Sequence, residues 1–230
     1  MTKAQISIRG MLLALLIIML WGSCLLFAFR LEVEAAHPLT YLLVLLQMHL
    51  FTGLFITAHD AMHGVVCPTH PRLNHWVGRL CAALFVYNSY SRLRPRHYRH
   101  HRLVATASDP DYHAGNPAFL PWYLKFLREY VSWWQILLAA ITYNLLILVV
   151  PVPNVLLYWV LPSVLSTFQL FYFGTYLPHK GEHDVHNLHK ARSQPKHHLW
   201  AFLSCYFFGY HYEHHDKPNL PWWLLWREVK

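Results

Sequence analysis

Apolar residues in this chain form long unbroken runs instead of the spaced stripes of a water-soluble helix. Residues 10–29 carry no charge, and in residues 39–58 Gln47 and His49 are the only strongly polar interruptions. About 20 such residues, rising 1.5 Å each, cross a bilayer core. Residues 134–150 and 155–177 form two further runs. Pro151-Val152-Pro153-Asn154 lies between them and leaves room only for a tight turn, so the pattern predicts a transmembrane hairpin. Two shorter apolar stretches, 80–90 and 199–210, cannot span at helical rise and are expected to lie in or dip into the interface. The expectation is one all-α integral membrane domain over residues 1–230 with four spans.

Charge gives that arrangement an orientation. Only 13% of the 230 residues are charged, well below the quarter usual in soluble domains, and 55% are hydrophobic. All but Arg30 of the 19 Lys and Arg residues fall before the first run, between the second and third, or after the fourth. The positive-inside rule then places both termini and the long segment 58–133 in the cytoplasm. The first run exceeds a secretory signal core and has no convincing small-x-small cleavage site, so it reads as a retained span. The net charge of +8 follows from this topology and calls for no nucleic-acid partner. Trp122, Trp133, Trp134, Trp222, Trp223 and Trp226 sit near the run ends, where an aromatic belt is expected. Cys24, Cys67, Cys81 and Cys205 show no paired spacing, which argues against a disulfide framework or a thiolate metal site.

Against this apolar background stand three histidine clusters, His59-x-x-x-His63, His97-x-x-His100-His101 and His211-x-x-His214-His215. Positions i, i+3 and i+4 share a helix face, so each cluster can aim its rings at a common point. Eight imidazoles exceed what one tetrahedral ion uses, and their number suggests two metal ions. A lone HxxxH is as well explained by a buried pair as by ligation; two HxxHH boxes of equal spacing are not. His37, His70 and His75, isolated in loops or near prolines, suit capping or solvated roles, as do His197 and His198. His49, inside the second run, reads as a bundle-facing polar residue.

All eight candidates lie on the cytoplasmic side. A haem protein would pair axial histidines within facing spans, and an ion path would spread polar groups through the bilayer depth. Nitrogen-rich ligation suits iron, copper or zinc in principle. Four or five ligands per ion at a dinuclear site fit oxygen-activating iron better than structural zinc, which favours closed four-coordinate sites and usually recruits cysteine. A site at the bilayer surface is placed to oxidise an unactivated C–H bond of a lipid-soluble substrate. A histidine-rich metal-binding or transport protein without catalysis is the reading from another class.

These boxes resemble those of the membrane fatty-acid desaturase and hydroxylase superfamily. The flanking elements are similar to the β-carotene ketolase branch: Phe51 to Gly64 around the first box, Asp109-Pro-Asp-Tyr-His113, Phe173 to His179 with Leu177-Pro178-His179, Ala191-Arg-Ser193, and Leu220-Pro-Trp-Trp223. The resemblance implies a cytoplasmic helical cap holding a histidine-ligated diiron site, with dioxygen as co-substrate and a bacterial inner or cyanobacterial membrane as location. It implies His179 as a ninth ligand beside His59, His63, His97, His100, His101, His211, His214 and His215. His113 and His189 lie in segments similar to family motifs and are candidates for proton handling or structural support. Asp60, Asp109, Asp111 and Glu213 could orient ligand rings through their second nitrogens; helix capping and loop hydrogen bonding are the competing roles. Asn187 stands where related ketolases often carry Asp, a departure that weakens any role for the Lys180–His189 loop.

The implied reaction converts β-carotene to echinenone and then canthaxanthin. Hydrogen abstraction at allylic C4 of the β-ionone ring is followed by hydroxylation, repeated at that carbon to a gem-diol that loses water. Phe85, Tyr87, Tyr90, Phe173 and Tyr210 could line the substrate path, though bundle packing explains any one of them. With no flavin or nicotinamide fingerprint, electrons are expected from a separate carrier, a ferredoxin with its reductase. Its docking face would be basic, around Arg92, Arg94, Arg96, Arg99 and Arg102. The boxes alone leave a carotenoid 3-hydroxylase or a lipid desaturase open.

Overall fold

The computed structural model describes residues 1–34 and 36–229, so Lys230, one of the basic residues behind the orientation, lies outside it. Helix α1, Lys3–Ala28, is opened by a capping box in which the Thr2 hydroxyl accepts from the Gln5 N–H at 3.2 Å and the Gln5 side chain accepts from the Thr2 N–H at 3.0 Å. Helix α2, Pro38–Met62, starts with Pro at its first position, and the His37 ring accepts the Leu39 N–H at 3.2 Å, the capping role its isolated sequence position suggests. Leu12, Leu15, Leu16 and Met19 on α1 are exposed, as lipid-facing side chains of a span are. Gly10 permits close docking of α1: a Cβ there would sit 2.2 Å from the Val66 carbonyl oxygen.

Beyond α2 the chain folds into a polar layer. Helix α3, Pro71–Leu84, and helix α4, Tyr90–Arg102, carry the segment up to the second box, and α5, Phe119–Tyr130, closes it. The long helix α7, Val152–His179, returns through the apolar layer and contains two π-helical turns, Leu156–Val160 and Tyr172–Tyr176. Short helices α8, His198–Cys205, and α9, His211–Asp216, precede a 3-10 turn over Trp222–Arg227. No strand forms among the described residues; Ser193 and Tyr210 make an isolated antiparallel bridge.

Three helices, α1, α2 and α7, are long and apolar enough to cross a membrane. The third predicted run instead yields α6, Trp133–Leu146, a helix of 14 residues opened by a Ser132–Gln135 capping box. At 1.5 Å per residue it is about 21 Å long, short of a bilayer core of about 30 Å. The turn into α7 begins at 147 and ends at Pro151, so it lies mostly before the Pro-Val-Pro-Asn sequence, because Val152 and Pro153 serve as the first residues of the next helix, where a missing N–H costs nothing.

Both short apolar stretches end alike. Asn88 N–H reaches back to the Ala82 carbonyl at 2.9 Å, and Phe207 N–H to the Ala201 carbonyl at 2.8 Å. Each reversal uses two consecutive left-handed residues, Val86 (φ 50°) with Tyr87 (φ 57°) and Tyr206 (φ 49°) with Phe207 (φ 61°). Left-handed non-glycine residues cost about 1–3 kcal/mol each and persist where packing over-determines them. Each pair immediately precedes an HxxHH helix, turning it back over the apolar layer.

Candidate metal centre

All nine histidines named as ligands converge. The ring nitrogens of His59, His63, His97, His101 and His214 lie within 4.8 Å of one another, and those of His100, His179, His211 and His215 form a second such group. In the first, His97 Nε2 stands 2.6 Å from His63 Nε2 and 3.1 Å from His101 Nε2, which is 3.1 Å from His214 Nε2. In the second, His215 Nε2 is 3.1 Å from both His100 Nε2 and His211 Nε2, and His211 Nε2 is 3.0 Å from His179 Nε2. The His101 and His215 rings, 4.3 Å apart, join the two groups.

The elements explain the grouping. His59 and His63 end α2, and His179 ends α7, so two long apolar helices each deliver ligands at their tips in the polar layer. On α4 and α9 the i, i+3, i+4 spacing splits between the groups: His97 and His101 face the first and His100 the second, while His214 faces the first and His211 and His215 the second.

Several observations show that this donor set fits metal ions. His179 Nδ1 donates to the Lys190 carbonyl at 2.8 Å, which leaves its Nε2 as a lone pair aimed at His211. His100 Nδ1 faces both oxygens of Asp109, at 3.0 and 3.1 Å, which likewise turns its Nε2 lone pair inward. Both ring nitrogens of His59 and the Nδ1 atoms of His211 and His215 are buried without partners. Leaving a buried polar atom unsatisfied costs about 1–3 kcal/mol; a cation among the Nε2 atoms would pair the orphaned Nε2 of His59 and separate lone pairs that otherwise face one another. Burial first, and repulsion among neighbouring rings second, hold His97, His101, His211, His214 and His215 below the ordinary imidazole range. They are therefore neutral, the form that ligates. Burial opposes charge on His100 as well, but Asp111 and Asp109 outweigh it and raise its basicity.

The six supporting candidates separate. Asp109 accepts from the Ala105 and Asp111 N–H groups, each at 2.9 Å, besides holding His100. Asp111 lies 3.9 Å from His100 Nδ1 and accepts a hydrogen bond from the Tyr130 hydroxyl. Asp60 is 3.6 Å from His59 Nδ1, outside hydrogen-bond reach, and instead caps the 3-10 turn by accepting the Trp222 N–H at 2.9 Å. Glu213 accepts from the Ser193 hydroxyl and so ties α9 to the preceding loop. His189 packs beside Tyr212 and 6.0 Å from the His215 ring, with Asp216 at 3.4 Å, and joins neither ligand group. His113 is not brought to the cluster; its Nδ1 accepts the Asn116 N–H at 3.1 Å within its own loop.

Sequence reasoning missed the scaffold beneath Asp109. The Lys125 ammonium donates to the carbonyls of Asp109, Pro110 and Tyr112, at 3.3, 3.2 and 2.6 Å, and the Trp122 indole N–H donates to the Asp111 carbonyl at 2.6 Å. Trp122 is thus fully buried and not part of a belt, and Trp222 is buried too. Tyr90 and Tyr210 are packed in the core, whereas Phe85 does line a cavity. His49, half-buried, stacks on Tyr206 at 4.3 Å, the bundle-facing place expected of it.

That cavity, of about 590 Å³, begins at His59, His97, His100 and His211 and runs between α6 and α7, with mostly apolar lining. Both π-helical turns of α7 contribute to its wall, through Trp159 and Val160 in one and Gly174 and Thr175 in the other. Such turns frequently mark functional sites.

Helices carry the histidine boxes to one buried cluster at the end of an apolar bundle, an arrangement that could hold metal ions and that defines the desaturase type of membrane fold. The chain belongs to the fatty acid desaturase family, whose model matches residues 36–134 and 121–227. It is 41% identical over 184 residues to a β-carotene ketolase of Haematococcus lacustris, covering 76% of this chain and 58% of that protein. It is 41% identical to a zeaxanthin 4-ketolase of Chlamydomonas reinhardtii over 76% of this chain and 41% of that one. With a β-carotene ketolase of Paracoccus sp. (strain N81106 / MBIC 01143) it shares 37% identity over 97% of this chain and 93% of the relative. The chain therefore spans little more than half the length, or less, of the algal relatives it matches.

Proposed function

We propose that this protein is a membrane oxygenase that introduces keto groups at C4 and C4′ of the β-ionone rings of β-carotene. The observation that carries the proposal is the apolar cavity leading from the histidine cluster down between α6 and α7. An extended chain advances about 1.2 Å per bond, so the roughly twenty bonds between the two rings of a carotenoid span about 24 Å. Along α7 the cavity wall runs from Leu156 to Gly174, about 27 Å at helical rise. The ketolase names of the aligned relatives agree.

His59, His63, His97, His101 and His214 would hold one iron ion, and His100, His179, His211 and His215 the other. Bound there, the iron pair supplies activation of dioxygen against an unactivated C–H bond, with electrons from outside the chain. The protein's own part is positioning. Phe55, Met62, Phe85 and Phe208 border the cavity at its histidine end and exclude water, and the narrow channel presents one ring methylene at a time. Asp109, fixed by Lys125, holds the His100 ring, and the Lys190 carbonyl holds that of His179.

In this reading residues 1–230 form one domain with four spans, the third made by the short α6 together with the turn after it where the bilayer thins to match, and both termini lie in the cytoplasm. The histidine layer forms a cytoplasmic cap. A ferredoxin with its reductase delivers electrons at the face carrying Arg92, Arg94, Arg99 and Arg102; Arg96 is already paired with Glu129 at 2.8 Å. Expression in a bacterial host that accumulates β-carotene tests the assignment by chromatography of the pigments. Echinenone and canthaxanthin are expected; zeaxanthin alone would make the protein a 3-hydroxylase, and unchanged pigment with altered lipid unsaturation a desaturase.

A further inference from the structure

The substrate cavity has two polar ends. One is the histidine cluster. The other lies near the α6–α7 turn, where Tyr143 and Asn144 on α6 line the cavity at the level of Leu156 on α7. Asn144 lies five residues before the turn's midpoint and Leu156 seven after it, so the hairpin brings them within one helical turn of the same depth. Several polar groups between the two ends are spent: the Ser163 and Thr167 hydroxyls donate to the carbonyls of Val160 and Ser163, and the Gln135 amide is held by Val86 and Ser132.

Asn144 is different. Its amide nitrogen donates once, to the Ala140 carbonyl at 2.8 Å, which leaves a second N–H and the side-chain oxygen without a partner among the described residues. The Tyr143 hydroxyl also has no partner there. Asn144 is an exposed residue on the cavity wall, and polar groups left unpaired in the apolar layer are costly.

We propose that Tyr143 and Asn144 recognise an oxygen on the end ring that is not reacting, and so select carotenoids already oxygenated on one ring. The inference rests on the ketolase reading. With one ring at the histidine cluster, a cavity about 27 Å long places the other ring beside Asn144. Its free N–H can donate to a ring ketone, and both the amide oxygen and the phenol can pair with a ring hydroxyl. In β-carotene that ring offers no polar atom, and Asn144 gains nothing. The pair thus favours the second ketonisation, echinenone to canthaxanthin, over the first.

The test compares echinenone with β-carotene as substrates for the full-length protein in lipid vesicles, with an electron-transfer chain supplied. The readout is the ratio of kcat/KM for echinenone to kcat/KM for β-carotene, taken within each variant so that folding and iron loading cancel. One neutral hydrogen bond is worth a factor of about two to ten. Asn144→Leu is expected to lower the ratio about fivefold and Asn144→Gln, which keeps the amide, to recover part of it. Asn144→Ser, the smaller replacement, takes the place of Asn144→Leu if that variant yields no ketone, with the same fall expected. A ratio within twofold of wild type in an active Asn144→Leu or Asn144→Ser protein overturns the inference. If the wild-type protein oxidises neither carotenoid at C4, the ketolase reading itself fails; if it oxidises both and the ratio does not move, only the role of Asn144 is lost.

Discussion

At the scale of single residues, the centre depends on second partners that fix ring orientation. His100 is the clearest case, because its Nδ1 is saturated by a carboxylate that is itself locked by two backbone N–H groups. Loss of such an outer partner typically costs 10–100-fold in metal affinity. Asp109→Ala should therefore lower iron retention after dialysis by about that factor, and Asp109→Asn, which keeps an acceptor, by less. His214→Ala removes a donor outright and, on the proposed function, should abolish ketone formation while reducing bound iron. Full iron and wild-type turnover in either alanine variant would remove that residue from the assignment. Eight of the nine clustered histidines were legible from spacing, since i, i+3, i+4 is a local property of a helix. His179 stands outside any box, and only the resemblance to Leu177-Pro178-His179 elements pointed to it. Lys125 and Trp122 were illegible, because what they hold is backbone carbonyls, and no residue pattern records those.

At the scale of elements, apolar run length forecast α1, α2 and α7 well. It overestimated α6, whose run counts Leu148, Val149 and Val150 as helix although they form the turn before Pro151. Hydropathy reports which residues avoid water and not where the backbone hydrogen bonds stop. Packing of α1 is more local than its lipid-exposed surface suggests. A Cβ at Gly10 would meet backbone, which cannot rotate away as a side chain can. Gly10→Ala should thus push α1 off the segment after α2 and destabilise the protein by about 1–3 kcal/mol. A thermal midpoint in detergent equal to that of wild type would show that α1 can shift without loss. The paired left-handed residues before each HxxHH helix were invisible in the sequence, since Val, Tyr and Phe are poor predictors of positive φ.

At the scale of the whole molecule, two ligand groups of buried and half-buried imidazoles are held together by helices whose packing alone turns Nε2 atoms toward one another. Bound metal should then be part of the stability. Ligand in hundredfold excess over its dissociation constant adds about 2.7 kcal/mol, which in a chain of this size corresponds to a rise of roughly 5–10 °C in Tm. Chelator treatment should lower the melting temperature by that order, and ferrous iron should restore it; an unchanged Tm on confirmed iron loss would mean that the cluster is preorganised without metal.

The sequence by itself determined the helical class, the apolar spans, the three boxes and the nature of the donors, because each is set by local composition and the 3.6-residue helix period. Tertiary structure alone decided which histidines share a group, that Asp109 rather than Asp60 or Glu213 supports a ring, and that α4, α5, α6 and α7 enclose a cavity reaching the cluster. Those features are distances between residues more than a hundred positions apart, such as His101 and His214. A linear pattern carries no term for such distances until packing closes the loops between them.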